Sequence, residues 1–288
     1  CIIFISLFIF LLALINQAIQ YPNIVDISLY QIEASVLVYF FISLILSLPA
    51  SFCFLIWLRK KNIQQTRLYQ FLNENINGLL ASILLFCVYI FFCIIFNQPQ
   101  YDADDIFFDA DGNLYRTRFG TENYADYYYR PFHPYVLIII RPIVFTISLF
   151  LKGDMLFAAY ITNAMAGAFG IFLVWYFVKH LTKNSLYALL IATIFGASST
   201  QLAFGSIMET YIFLSTVALI FLVLLIKDKS LPALVITGLV AFGITVSNIA
   251  QTVIAHFFIK RDIKQLIKYG LIILALIVPL SLLNNFIY

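Results

Sequence analysis

Polar residues in this 288-residue chain are sparse, and they fall between apolar runs of about 20 residues that recur from one end to the other. An α-helix rises ~1.5 Å per residue and a bilayer's hydrocarbon core is ~30 Å thick, so each such run predicts a membrane-crossing helix. The first covers residues 1–19. A short loop with Asp26 and Glu33, and no Lys or Arg, leads to a second span ending near residue 58 on Arg59, Lys60 and Lys61, with Arg67 close behind. Cytoplasmic loops carry an excess of Lys and Arg, so this end reads as cytoplasmic, as does the N-terminus. Residues 63–77 suggest a short interfacial helix, and 78–96 a third span.

The long polar exception is 101–134, YDADDIFFDADGNLYRTRFGTENYADYYYRPFHP. It holds seven acids (Asp102, Asp104, Asp105, Asp109, Asp111, Glu122, Asp126) and three arginines (Arg116, Arg118, Arg130). Asp111-Gly112 is a hairpin-turn signal, which makes Asp109 and Asp111 turn formers; Arg116 and Arg118 read equally as phosphate clamps or as hairpin-surface charges. The spacing excludes an EF-hand, because the bidentate position counted from Gly112 falls on Arg118.

The next apolar run, 135–151, contains Arg141-Pro142, a charge costly at mid-bilayer and a residue that interrupts helices. Two topologies are open. If the run spans, nine Lys/Arg lie on the cytoplasmic side; if it dips in and returns, twelve do, which favours the return. Spans over 155–178, 185–204 and 211–226 then follow. The run 231–259 is too long for one upright helix and is expected to fold as a hairpin broken at Ser247-Asn248. A basic segment, 260–268, precedes the last span.

Composition agrees. A 63% hydrophobic content with 11% charge and a mean hydropathy of +0.97 exclude a soluble domain of this length. The fold class expected is all-α, a polytopic bundle with a large non-cytoplasmic loop over 97–134. Its domains are an added helix pair at 1–77 and a core at 78–288. The net charge of +3 does not point to nucleic acid, because the cations gather at helix ends and form no single patch. Cys1, Cys53, Cys87 and Cys93 lie in apolar segments without metal-ligand spacing and read as small packing residues. Starting at Cys1 and stopping at Tyr288 just after an apolar run, the chain is expected to be part of a longer protein.

The order of elements carries a resemblance: a span, an acidic outer loop, His133-Pro134 opening an apolar run, a span ending in basic residues, a span emerging before Glu209-Thr210-Tyr211, and a broken hairpin. From residue 78 onward it resembles the N-terminal module of GT-C glycosyltransferases, above all protein O-mannosyltransferases and the transferases that place aminoarabinose on lipid A. The resemblance implies a membrane enzyme of a bacterial cell membrane. Such an enzyme takes a sugar from a polyprenyl-phosphate carrier to a protein, lipid or glycan acceptor at the outer face, with inversion. It implies acidic residues early in the loop, where Asp102, Asp104 and Asp105 stand, the His-Pro motif, and an acid before the return helix, Glu209. At Ser247-Asn248 the chain departs from the Thr-Lys-Gly of relatives.

Sugar transfer from a lipid phosphate needs a base for the acceptor and a partner for the leaving phosphate. Asp104 or Asp105, with Asp102, are candidate bases; carboxylates this close raise one another's pKa or bind a divalent metal. Asp102, Asp104 and Glu209 are the candidate metal ligands. Arg130 and Arg141 are candidate phosphate clamps, with snorkelling to the interface the other reading of Arg141. His133 binds carrier or metal, or caps a helix. Glu209 contacts acceptor, metal or arginine, and Asn248 is counted with the substrate-binding residues. Tyr127, Tyr128 and Tyr129 form an interfacial belt, and His256 packs. The rival functions are a transporter or flippase for lipid-linked or anionic substrates, and a non-catalytic membrane scaffold.

Overall fold

A computed structural model describes residues 65–97, 111–121 and 132–287, with isolated positions between 38 and 61. The first span, most of the second, and Asp102, Asp104, Asp105, Asp109, Glu122, Asp126, Tyr127, Tyr128, Tyr129 and Arg130 lie outside the described residues. The chain divides into two compact units, Cys1–Ile76 and Asn77–Tyr288. In the first, a short helix α1 (Arg67–Glu74) starts at Thr66, whose hydroxyl accepts from Tyr69 N, and leaves Leu68, Phe71 and Leu72 exposed.

Among the described residues ten helices follow: α2 (Ile76–Phe96), α3 (Gly112–Gly120), α4 (Val136–Ser148), α5 (Met155–Thr182), α6 (Ser185–Gly196), α7 (Ser199–Ser206), α8 (Tyr211–Ile226), α9 (Leu231–Ile244), α10 (Ile249–Lys260) and α11 (Ile263–Ile287). No strand occurs among the described residues. Among the described residues three helices, α2, α5 and α11, are long and apolar enough to cross a membrane; α6 and α7, counted as one span bent by 62°, make a fourth. The described residues are all-helical, and these helices mark a membrane protein.

The core centres on α5. Its buried Ala164, Gly167 and Ala168, the last two lying three and four residues after the first, form a face of small residues. In a bilayer, apolar surface alone does not drive helices together, so close approach and dispersion do. Gly167 shows the use of the small face. A Cβ there would stand 2.8 Å from the Tyr89 ring of α2, and Tyr89 continues past it to donate to Gly196 O at 2.7 Å. Gly78 lets α2 meet the Trp175 indole in the same way, with a Cβ only 2.4 Å away. A second cluster, Phe221, Leu225, Leu234, Val235, Tyr269 and Ile273, joins α8, α9 and α11.

Contacts sort the helix ends into two groups. The end of α2, the start of α5 and the α7–α8 turn meet through Cys93, Asn97 and Tyr160. At the opposite end Asn77 donates to Ser185, Lys227 lies 4.9 Å above the Tyr176 ring, and Lys260 pairs with Asp228. Lysines crowd this second end, and Glu209 belongs to the first.

Three sequence expectations change. Asp111-Gly112 opens no hairpin; it begins α3, whose Tyr115, Arg118 and Phe119 are buried at helical spacing. The flanking residues never alternated, so they provide no strands for a hairpin turn to join. The span 185–204 is not straight. Ser198 adopts an extended backbone and caps α7, its hydroxyl accepting from Gln201 N. The basic segment is split by the last helix: Lys260 and Arg261 close α10, while α11 already includes Lys264 and Lys268.

Two other expectations agree with the described residues. The run 231–259 is a hairpin, α9 and α10 joined by a 3-10 turn at Val246–Asn248 and tied at its base by Asp228 and Lys260. The run 135–151 does not link opposite ends. His133 and Tyr135, at the start of α4, meet the hairpin tip, and the helix end leads directly into α5 beside Gly120. Pro142 stays within α4, on its exposed side.

Candidate functional site

The site begins with an unfilled need. The last carbonyls of a helix have no partner within it, and in a membrane interior each one left bare costs several kcal/mol. At the end of α7 they are met by side chains from two other helices. Asn163 Nδ2 of α5 donates to Phe204 O (3.2 Å) and Ile207 O (3.1 Å). Cys93 Sγ donates to Gly205 O at 3.6 Å, and Asn97 Nδ2 donates to Ser206 O at 2.8 Å. Asn97 Oδ1 accepts from Met208 N at 3.0 Å, so a single amide grips both sides of the turn.

That turn presents Glu209, only 3% exposed. Its Oε2 accepts from Thr210 N and, at 3.0 Å, from Thr210 Oγ1; its Oε1 accepts from Asp111 N at 3.2 Å. Thr210 stands at the start of α8 and Asp111 at the start of α3, so two positive helix ends converge on the carboxylate. Burial nonetheless pushes the Glu209 carboxyl above its usual range; Asp111 adds to the rise, while the bonds from Thr210 and Asp111 N oppose it.

Cations stand on the neighbouring helices. Arg116 Nη1 donates to Asn97 O at 3.0 Å. Arg118 is 2% exposed, with its guanidinium 5.8 Å from the centre of the Tyr115 ring. Both were open to a reading as hairpin-surface charges; on α3 Arg118 is buried instead and Arg116 is half-buried against Asn97. Arg141 does not snorkel outward: it is buried and donates to Phe119 O at 2.7 Å, placing a positive charge at the C-terminal end of α3.

α3 is also the bridge to His133. The Tyr115 and His133 rings meet edge to face at 6.0 Å. His133 Nδ1 lies 2.7 Å from Ile244 O and 3.2 Å from Thr245 Oγ1, so the imidazole fastens the hairpin tip. Asn248, just beyond, is buried, and its Nδ2 has no hydrogen-bond partner among the described residues. Beside the Glu209 turn, Phe195, Ser198, Gln201, Phe204 and Tyr211 line a groove of about 330 Å³ at the α6–α7 break.

The structure thus joins Glu209, His133, Arg141 and Asn248 to one half of the unit, with α3 as their common neighbour or nearest link. Asp102, Asp104, Asp105 and Arg130 lie outside the described residues. Of the proposed metal ligands only Glu209 is described, and no three His, Cys, Asp or Glu side chains converge among the described residues. Sequence reasoning missed Asn97, Asn163 and the role of Asp111. The available signal was a polar amide closing or interrupting an apolar run, where an unpaired amide is expensive.

Comparison with known proteins returns no relative: no family model, curated protein or solved structure matches the chain.

Proposed function

We propose that the protein is a multi-pass glycosyltransferase of a bacterial cell membrane, moving a sugar from a polyprenyl-phosphate carrier to an acceptor. The lysine-rich end faces the cytoplasm, as the distribution of cations favours, and the Glu209 end faces outward. The observation that carries this reading is the Glu209 carboxylate, buried at the starts of two helices with Asp111 beside it. An acid with a raised pKa is suited to proton transfer near neutral pH. Arg116, bonded to Asn97 O beside that turn, Arg118 farther along α3 and Arg141 at its C-terminal end offer the charge that a leaving phosphate requires.

Asp102, Asp104 and Asp105 enter the reading as candidate bases. The described residues flanking them, Asn97 and Asp111, both hydrogen-bond to the Glu209 turn. Asn248 offers a free amide donor and His133 fixes the tip that holds it. Arg130 completes the set of candidate clamps. The groove beside Tyr211 suits an apolar carrier chain whose headgroup lies toward Glu209.

The test is transfer of labelled sugar from a polyprenyl-phosphate donor in membranes holding the full-length protein. Glu209→Gln, and at least one of Asp102→Asn, Asp104→Asn and Asp105→Asn, are expected to lower turnover about 100-fold at unchanged protein level. Full activity in all four variants defeats the reading. So does a membrane-impermeant thiol reagent, applied to intact cells, that labels a cysteine at position 181 and not one at 209.

A further inference from the structure

The corner between α10 and α11 carries charges that the protein itself does not neutralise. Lys260 is matched by Asp228, and the Asp262 carboxylate is occupied by Gln265 N at 3.0 Å. Arg261, Lys264 and Lys268 are exposed, and none has a protein partner among the described residues. Arg261 ends α10 in the left-handed region at φ 53°, and Lys264 and Lys268 follow one helical turn apart on α11.

Above these cations runs an apolar stripe. Ile267, Leu271, Leu274 and Val278 are exposed at spacings of four, three and four residues, so they share one face of α11. From Lys268 to Val278 the helix rises about 15 Å, the thickness of one leaflet of the hydrocarbon core. A Cβ at Gly270 would meet no atom within 4 Å, which leaves a notch between Ile267 and Leu274. A cationic foot under an apolar stripe one leaflet long matches an amphiphile with a negative head and a chain.

From this we infer that the corner binds an anionic phospholipid. Its phosphate is held by Arg261, Lys264 and Lys268, and one acyl chain lies along α11 over Gly270. Arginine and lysine bind phosphate by charge-assisted hydrogen bonds, and desolvation beside the apolar stripe strengthens them. The site lies at the opposite end from Glu209 and is independent of the catalytic reading.

The test uses the full chain, purified in neutral detergent and offered equal amounts of phosphatidylglycerol and phosphatidylcholine, with retained lipid counted by native mass spectrometry. The wild type is expected to keep the anionic lipid by a factor on the order of ten. The triple variant R261Q/K264Q/K268Q is expected to show no preference, while K183Q/K229Q, at the same end of the bundle, keeps it. A wild type without preference, or a triple variant that retains it, overturns the inference. So does equal loss in K183Q/K229Q, which assigns the effect to diffuse charge. Gly270→Leu leaves every charge in place and fills the notch. It is expected to reduce retained phosphatidylglycerol, and unchanged retention also overturns the inference, even where the triple variant fails to fold.

Discussion

Glu209 and Asp228 border the same helix, α8, one just before its start and the other just after its end. Each is an acid on a short turn between apolar segments. Glu209 is buried and meets two backbone N–H groups and a hydroxyl; Asp228 is exposed and meets the Lys260 ammonium. Burial raises the Glu209 pKa, whereas the bond and charge of Lys260 lower that of Asp228. An acid placed for strength keeps its cation and its water. One that gives up water for helix ends keeps a proton within reach, at a cost that other contacts must offset. The comparison marks the Glu209 turn as the buried, side-chain-supported end of α8, and the Asp228 turn as the solvated, ion-paired one.

The largest expected effect comes from removing that support. Asn97→Ala strips partners from Cys93 O, Ser206 O and Met208 N, all beside the Glu209 turn. It is expected to cost about 3 kcal/mol, read as a lower midpoint of thermal unfolding in detergent. A midpoint equal to wild type would show that the turn holds itself. Glu209→Gln tests the cost of burying the carboxylate. Because the folded pKa is raised, the stability contribution is full below the ordinary carboxyl value and is lost as pH rises through the raised one. The Gln variant is expected to lose that pH slope and, at neutral pH, to be at least as stable as the wild type. A variant less stable at neutral pH and more so in acid would reverse the comparison. Asp228→Asn gives the smallest effect. A depressed pKa contributes above the ordinary value and fades as pH falls through the folded one, but exposed pairs are screened. No resolvable change in unfolding midpoint is expected between pH 3 and 8.

The helices were legible because a bilayer demands long apolar runs, and the hairpin at 231–259 because its run was too long for one span. Glu209 and Arg141 stood out because charge is rare in such segments. Asn97 did not, since its partners on the Glu209 turn lie over 100 residues away and no local pattern records them. α3 was misread for the opposite reason: Asp111-Gly112 is a strong local signal, and Tyr115 and Phe119 packing against distant helices overrode it. The bend at Ser198 combines both, a small polar patch visible in sequence whose 62° angle is set by tertiary packing. A charge in an apolar run could be read whatever its partner, and a neutral amide with distant backbone partners could not.

Residues 132–135 and 243–246 are laced together, antiparallel, by Val246 N to Phe132 O, Tyr135 N to Gly243 O and the His133 contacts with Ile244 and Thr245. Such a joint transmits force as a rivet does. Displacing the start of α4 therefore requires displacing the hairpin tip with it.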